Sequence, residues 1–261
     1  MKAIENAPAG TDRVQLLCLD LNGTLLGNPE STAEFAAAWR GLDAGRAPLL
    51  VYTCGRSAAE IRRVIGEWLL PEPAAIIGGL GTELQVEGHA AEAEDFNARF
   101  GAGWNPTMLE ELLAGSHRLA QDGPSFLHPY RSAWRWRNAT AAELQAMQRR
   151  LAEGGIDGRM TYAENRYMEV VPARTSKGAA LQWLCELLAI PLEAVAVAGD
   201  TLHDASMMVL PGVKRIVLEN SSPDLLAELV GRDKFVSSGV MAAGVLDGLR
   251  HFGVLPPPGS R

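Results

Sequence analysis

Two apolar runs in this sequence end in aspartate: residues 14–20, VQLLCLD, finish at Asp20, and residues 194–200, AVAVAGD, finish at Asp200. Continuous apolar runs of this length are the pattern of strands buried on both faces of a parallel sheet. In open α/β sheets ligands bind beyond the carboxyl ends of the strands, so both carboxylates are expected at one edge. Such a pair could hold a hard cation such as Mg2+, which prefers oxygen ligands and keeps several waters to share with a phosphate. Asp204, one helical turn past Asp200, could join directly or through water. Taken singly, a strand-end aspartate is more simply a helix N-cap or a turn former. Two of them, each in a glycine-containing turn, favour the metal.

Lys177 is the next group with chemical potential. It opens a predicted helix after Thr175 and Ser176, where the positive end of the helix dipole disfavours a cation. A surface lysine with its head in water and a cation turned toward phosphate and carboxylate are equally compatible with that position. Cys18 and Cys185 are most simply buried small apolar residues.

The elements that must position these groups follow from the apolar pattern. After the first strand, residues 30–42 have the alanine-rich composition of a helix and residues 47–53, APLLVYT, read as a second buried strand. Ser57 and Glu60 form a capping box for a helix carrying Ile61, Val64, Ile65 and Trp68 at apolar spacing. Residues 74–77 are a third short strand, and residues 82–86, TELQV, continue as a hairpin arm. Between residues 92 and 174 the composition shifts to tryptophans and arginines. There residues 106–121 look helical, residues 130–137, YRSAWRWR, alternate like an exposed-face strand, Thr140 and Glu143 cap another helix, and residues 166–171 read as a strand. The buried parallel pattern resumes with a helix at 176–190, the strand ending in Asp200, a strand at 214–220 and a closing strand and helix at 235–253.

The fold class expected is therefore α/β, a Rossmann-like parallel sheet formed by residues 1–91 and 175–261, with an α+β domain inserted at 92–174. Such an insert tends to hang over the carboxyl edge of the sheet as a lid.

Composition bounds the partners. The 261 residues carry a formal charge of −7 and are 47% hydrophobic, with no basic footprint of the kind nucleic-acid backbone binding needs. No apolar run approaches the roughly 20 residues that span a bilayer, so neither nucleic acid nor membrane is an expected partner. Residues 1–13 lack the apolar centre of a signal peptide and read as a polar lead-in, with 256–261 a loose tail. The 3 cysteines make neither a disulfide framework nor a zinc site, and a reducing cytoplasm is the expected location.

Four strings match a known family in order and spacing: DLNGT at 20–24, TCGRS at 53–57, Ser176-Lys177-Gly178, and GDTLHD at 199–204. Together they resemble the four motifs of the haloacid dehalogenase (HAD) superfamily of phosphotransferases, with an insert like its larger, second type of cap. Within it the chain is most similar to the sucrose-phosphate phosphatase group, through LLVYTCGRS at 49–57, LGTEL at 80–84, EVVPARTSKGAAL at 169–181 and GVLDGLRHFG at 244–253.

The resemblance implies a Mg2+-dependent phosphatase acting on a phosphorylated sugar or glycoside. Asp20 would be the nucleophile, giving an aspartyl-phosphate that water hydrolyses. Asp20, the backbone carbonyl of Asn22, Asp200 and the nearby Asp204 would hold Mg2+. Lys177 would pair with Asp20 and the transferring phosphoryl group. Gly23, Thr24, Thr53, Cys54, Gly55 and Arg56 would surround the phosphate, and Arg131 and Ser132, with Arg135 nearby, lie where relatives face the sugar. Arginines there could fork onto hydroxyls or onto an acidic group; alternating Arg and Trp is also the pattern of a half-buried strand.

The chain departs from the family pattern at three positions. Asn22 stands where an aspartate usually serves as general acid and base, a function worth roughly 100- to 10,000-fold. Cys54 stands at the phosphate-binding hydroxyl, and a thiol is a weak donor. His203 stands where asparagine is common, either as a solvated side chain or as a substitute base. Two alternatives to a fully active phosphatase follow. One is a weakened HAD protein acting as a sugar-phosphate-binding or regulatory module, and the other is a phosphotransferase to an acceptor other than water.

Overall fold

Leu16, Leu17, Cys18 and Leu19 are all 0% exposed, which removes every side chain of the first strand from water and rules out an amphipathic, half-exposed sheet at this point. The computed structural model describes residues 13–43, 45–100, 104–116, 118–121, 130–163 and 165–257. The expected lead-in therefore lies outside the described residues apart from Arg13, and of the expected tail only Pro256 and Pro257 are described.

The described strands are β1 (Leu16–Asp20), β2 (Leu49–Thr53), β3 (Ala75–Gly78), β4 (Glu83–Val86), β5 (Ala120–Gln121), β6 (Ser132–Arg135), β7 (Gly158–Ala163), β8 (Tyr167–Pro172), β9 (Val195–Gly199), β10 (Lys214–Val217) and β11 (Phe235–Val236). The described helices are α1 (Pro29–Arg40), α2 (Ala58–Glu67), α3 (Ala90–Ala98), α4 (Pro106–Ala114), α5 (Ala141–Glu153), α6 (Lys177–Leu187), α7 (Ala205–Met208), α8 (Pro223–Glu228) and α9 (Met241–His251). The chain divides into two compact units, Met1–Leu50 with Leu184–Arg261, and Val51–Trp183.

The first unit is built on parallel strands in the order β11-β10-β9-β1. Leu16 pairs with Val195 and Leu19 with Ala198, so β1 and β9 run in step to their carboxyl ends. On this sheet α1 packs against α9. Arg215, buried at the start of β10, donates to the carbonyls of Met208, Val213, Leu210 and Asp233 and so ties together the chain on either side of the strand. Burial pushes its guanidinium below the usual arginine range.

The second unit begins within β2, which pairs in parallel with β3, and β4 returns antiparallel as the expected hairpin arm. The capping boxes of Ser57 with Glu60 and of Thr140 with Glu143 are both formed. A separate antiparallel sheet runs β5-β6-β8-β7. One of its faces packs with α4 and α5 into an apolar cluster of Trp104, Leu109, Leu113, Trp134, Trp136, Met147, Leu151, Ile156, Met168 and Val170.

Two expectations change here. The helix predicted over 106–121 stops at Ala114, where Gly115 takes the C-cap, and Ala120–Gln121 pairs with β6 instead. The strand predicted to alternate between core and solvent is buried continuously from Arg131 to Trp134, with Trp134 in the apolar cluster and Arg131 ion-paired with Glu169. The strand β7 and the helix α8 add elements beyond those expected. Among the described residues no helix is long and apolar enough to cross a membrane.

Gly248 tests how closely α9 lies on β10. A Cβ there would meet three side-chain carbons of Ile216 at 2.6 Å, and Ile216 is β-branched and fully buried. Replacing a mid-helix glycine with alanine gains about 1 kcal/mol of propensity, while overpacking a rigid contact costs about 1–3 kcal/mol. Gly248→Ala is therefore expected to lower stability by about 1 kcal/mol in denaturant unfolding; a stabilised variant would show that α9 is free to move off the strand.

Candidate active site

In the first unit the strand β1 delivers Asp20 to its carboxyl end, 5% exposed. The chain then turns tightly: the amides of Leu25 and Leu26 donate back to Leu21 O at 2.9 and 2.8 Å, and Gly23 N donates to Leu26 O. Gly23 has φ +76°, and a Cβ on it would lie 2.2 Å from Asp200 Oδ2. Only glycine satisfies both demands. Asn220 holds the same turn from outside, donating its Nδ2 to Gly23 O at 2.8 Å while its Oδ1 accepts from Met241 N at 2.8 Å.

Parallel pairing places Asp200 beside this turn. Its Oδ1 accepts from Thr24 Oγ1 at 3.2 Å, so Thr24, expected at the phosphate, orients a carboxylate. Asp204 is fully buried in a single 3-10 turn, Leu202–Asp204. Its Oδ2 accepts from Asp200 N, Thr201 N and Thr201 Oγ1 at 3.1, 3.0 and 3.2 Å. Gly199 makes room for it, since a Cβ there would sit 2.3 Å from Asp204 Cγ. Asp204 thus shapes the loop that presents Asp200. Asp20, Asp200 and Asp204 each offer an oxygen, and all three oxygens lie within 4.8 Å of one another. Hard anionic oxygens converging at this spacing fit a divalent cation such as Mg2+. Asn22 is exposed and His203 half-buried on the neighbouring turns.

The second unit contributes a different set. Lys177 begins α6 and is 3% exposed, which removes the reading of a lysine with its head in water. A buried ammonium stays charged only beside compensating acceptors. Its position is fixed by Ser176, whose Oγ accepts from Ala179 N at 3.0 Å, and by the loop after β3. Gly81, with φ +96°, approaches so closely that a Cβ would lie 2.2 Å from Ser176 O.

The loop after β2 is pinned to the same region of this unit. Cys54 N donates to Ile77 O, Leu80 N to Cys54 O and Gly79 N to Arg56 O. Thr53 is fully buried and its Oγ1 has no hydrogen-bond partner among the described residues, leaving Cys54 beside it at 2% exposure. A Cβ on Gly55 would lie 4.0 Å from Arg131 Nη2. Arg131 is ion-paired with Glu169, whereas Ser132 turns the other way and accepts from Trp134 Nε1 at 2.8 Å. Arg135 is exposed.

Three supporting residues carry no role in the sequence reading. Asn220 closes the strand expected at 214–220 and Glu83 lies in the string LGTEL, but nothing in either says that Asn220 clamps Gly23 or that Glu83 Oε2 accepts from Ala58 N at 2.8 Å to hold the start of α2. Glu169 falls in an expected strand, and its pairing with Arg131 depends on the β6–β8 register.

The family model described as sucrose-6F-phosphate phosphohydrolase matches residues 13–253. A mannosylfructose-phosphate phosphatase from Agrobacterium fabrum is 32% identical over 245 residues, covering 93% of this chain and 98% of that one. Sucrose-phosphatase 1 from Nicotiana tabacum is 24% identical over 256 residues, 92% of this chain and 60% of its own length. Among solved structures, the sucrose-phosphatase of Synechocystis, in complex with sucrose and phosphate, superposes with a TM-score of 0.82 at 21% identity over 92% of this chain and 98% of that one. A phosphatase of the HAD superfamily from Bacteroides thetaiotaomicron gives 0.64 at 17% identity, over 97% and 100%. These two likenesses speak for the fold.

The bond from Thr24 to Asp200 generates a prediction. Groups that orient metal ligands typically contribute 10- to 100-fold to affinity. Thr24→Val, which keeps the shape and deletes the donor, is expected to weaken Mg2+ binding by about tenfold in a calorimetric titration. Equal affinity in variant and wild type would remove Thr24 from that role.

Proposed function

The chain belongs to the sucrose-6F-phosphate phosphohydrolase family, and from that premise we propose that it is a phosphatase that hydrolyses a phosphorylated sugar or glycoside. The observation that carries the proposal is the convergence of Asp20, Asp200 and Asp204 at the carboxyl end of the paired strands β1 and β9. In the proposed arrangement residues 92–174 act as the cap and residues 1–91 with 175–261 as the core, and the buried thiols Cys18, Cys54 and Cys185 suit a reducing cytoplasm.

Asp20 is the proposed nucleophile. One of its carboxylate oxygens bonds to phosphorus as the bond from phosphorus to the sugar oxygen breaks, and the departing alkoxide takes a proton from solvent. Water then attacks the same phosphorus, returning the carboxylate and releasing inorganic phosphate. A bound Mg2+ would be held by Asp20, the carbonyl of Asn22, Asp200 and Asp204 and would offset negative charge on carboxylate and phosphate. Lys177 is the proposed cation for the transferring oxygens, and the loop of Thr53, Cys54, Gly55 and Arg56 and the amides near Gly23 and Thr24 are proposed to hold them. A release assay over a panel of sugar phosphates with Mg2+ tests this. At least one member is expected to yield phosphate, and Asp20→Asn to abolish it; a wild-type protein that binds Mg2+ and releases no phosphate from any member would refute the reading.

Asn22 favours a second reading. It is exposed two residues after the nucleophile, and a carboxamide has no proton to exchange near neutral pH. With the water step slowed, the aspartyl-phosphate would live longer and pass its phosphoryl group to an alcohol. Asn22→Asp is expected to raise turnover by about tenfold or more, measured alongside the fraction of phosphoryl group passed to added glycerol. No change in either quantity would sink this second reading.

A further inference from the structure

The antiparallel sheet of the second unit has two unlike faces. Register puts Trp134, Met168 and Tyr162 opposite one another on the face that α4 and α5 cover. The alternate residues Arg131, Arg135, Arg159, Thr161, Tyr167 and Glu169 lie on the other face, since successive side chains on a strand point to opposite sides. Glu169 sits at its centre, directly across from Ala133 on β6 and Thr161 on β7.

Among the described residues this face carries Arg131, Arg135 and Arg159 and one carboxylate, Glu169. Glu169 is ion-paired with Arg131, and both side chains are largely buried. Arg159 is half-buried. Its Nη2 donates to Thr175 O at 2.9 Å, the one hydrogen bond its guanidinium makes with described residues. Burial pushes its pKa down, and the negative charge of Glu169 only partly opposes this. A guanidinium has five N–H donors, so most of this group's capacity is unused by the protein. Along the same strand and on the same face, Thr161 Oγ1 is buried with no hydrogen-bond partner among the described residues.

Buried polar groups are ordinarily satisfied, and a buried cation ordinarily has a counter-charge. Here a half-buried cation shares a single carboxylate, Glu169, with Arg131, and a buried hydroxyl two residues further on has no hydrogen-bond partner among the described residues. Their surroundings belong to the proposed phosphatase site: Thr175 is two residues before Lys177, and Arg131 reaches the loop at Gly55. Neutral sugar hydroxyls would accept hydrogen bonds from these donors without adding a counter-charge beside Arg159. A carboxylate does both, with the paired geometry that guanidinium favours.

We propose that the substrate carries a carboxylate in addition to its phosphoryl group, and that Arg159, assisted by Thr161, receives that carboxylate. The inference rests on the phosphatase reading and narrows it from sugar phosphates in general to phosphorylated sugar acids or glycosides of hydroxy acids.

Two substrate pairs that exchange CH2OH for carboxylate test it: glucose 1-phosphate against glucuronic acid 1-phosphate, and glycerol 3-phosphate against 3-phosphoglycerate. With Mg2+ present, the acidic member of at least one pair is expected to show a kcat/KM at least about tenfold higher, expressed mainly in KM. Arg159→Gln should lower the acidic member at least about tenfold more than its neutral partner. Equal values within both pairs, a preference for the neutral members, or an equal loss on both members in the variant would each overturn the proposal. If Arg159→Gln does not fold, Arg159→Lys replaces it: losing the paired donors should shrink the preference, and an unchanged ratio counts against Arg159. If wild type releases phosphate from neither pair, the same compounds are titrated calorimetrically. Tighter binding of an acidic member that Arg159→Gln abolishes retains the carboxylate site while the phosphatase reading falls; equal binding, or none, overturns the carboxylate site.

Discussion

The first unit depends on like charges being held together. Three carboxylate oxygens lie within 4.8 Å of one another, and at an effective dielectric near 20 each pair of unit charges at that distance repels by on the order of 3 kcal/mol. Such a cost is a sizeable part of the stability of an ordinary domain. The fold meets it with rigid backbone and neutral donors. β1 and β9 are fixed in register, Thr24 donates to Asp200, and three donors converge on Asp204. Removing a Cβ at Gly23 and Gly199 lets the carboxylates approach as closely as they do. What remains is a cluster of three carboxylates whose mutual repulsion a divalent cation would offset.

The second unit solves the complementary problem of keeping positive charge out of water. Lys177 is nearly inaccessible and Arg159 half so. Both are anchored through backbone close to one short segment, since Thr175 O receives Arg159 and Ser176 begins the helix that carries Lys177. The approach of Gly81 to Ser176 O locks that segment against the loop after β3. A position that looks like a generic glycine in GGLG is therefore a spacing requirement of the lysine.

Much of this was legible in the sequence because it depends on local pattern. The all-apolar runs before Asp20 and Asp200 announced buried parallel strands, and Ser57 and Thr140 announced their helices through capping boxes that need only four consecutive residues. Register was not legible. The strand at 130–137 was expected to be half exposed because Arg and Trp alternate there, yet the arginine at 131 is buried against Glu169, a residue on another strand. β7 mixes glycine, arginine, methionine and threonine and shows no clean alternation, so the face carrying Arg159 and Thr161 emerged only from its pairing with β8. The predicted helix over 106–121 ran too far because apolar spacing continues past Gly115, while the competing strand pairing at Ala120 is a long-range contact.

Asn220 joins the turn after Asp20 to the start of α9 through one carboxamide, with its nitrogen toward Gly23 O and its oxygen toward Met241 N. Asparagine is among the thermolabile side chains, and it is followed here by the small residue Ser221. Hydrolysis of that amide would leave a carboxylate, which accepts but does not donate. The bond to Met241 N would survive, and the one to Gly23 O would become a repulsion directed at the loop that presents Asp20. A single change of nitrogen to oxygen at Asn220 would thus set the clamp against the turn it now holds.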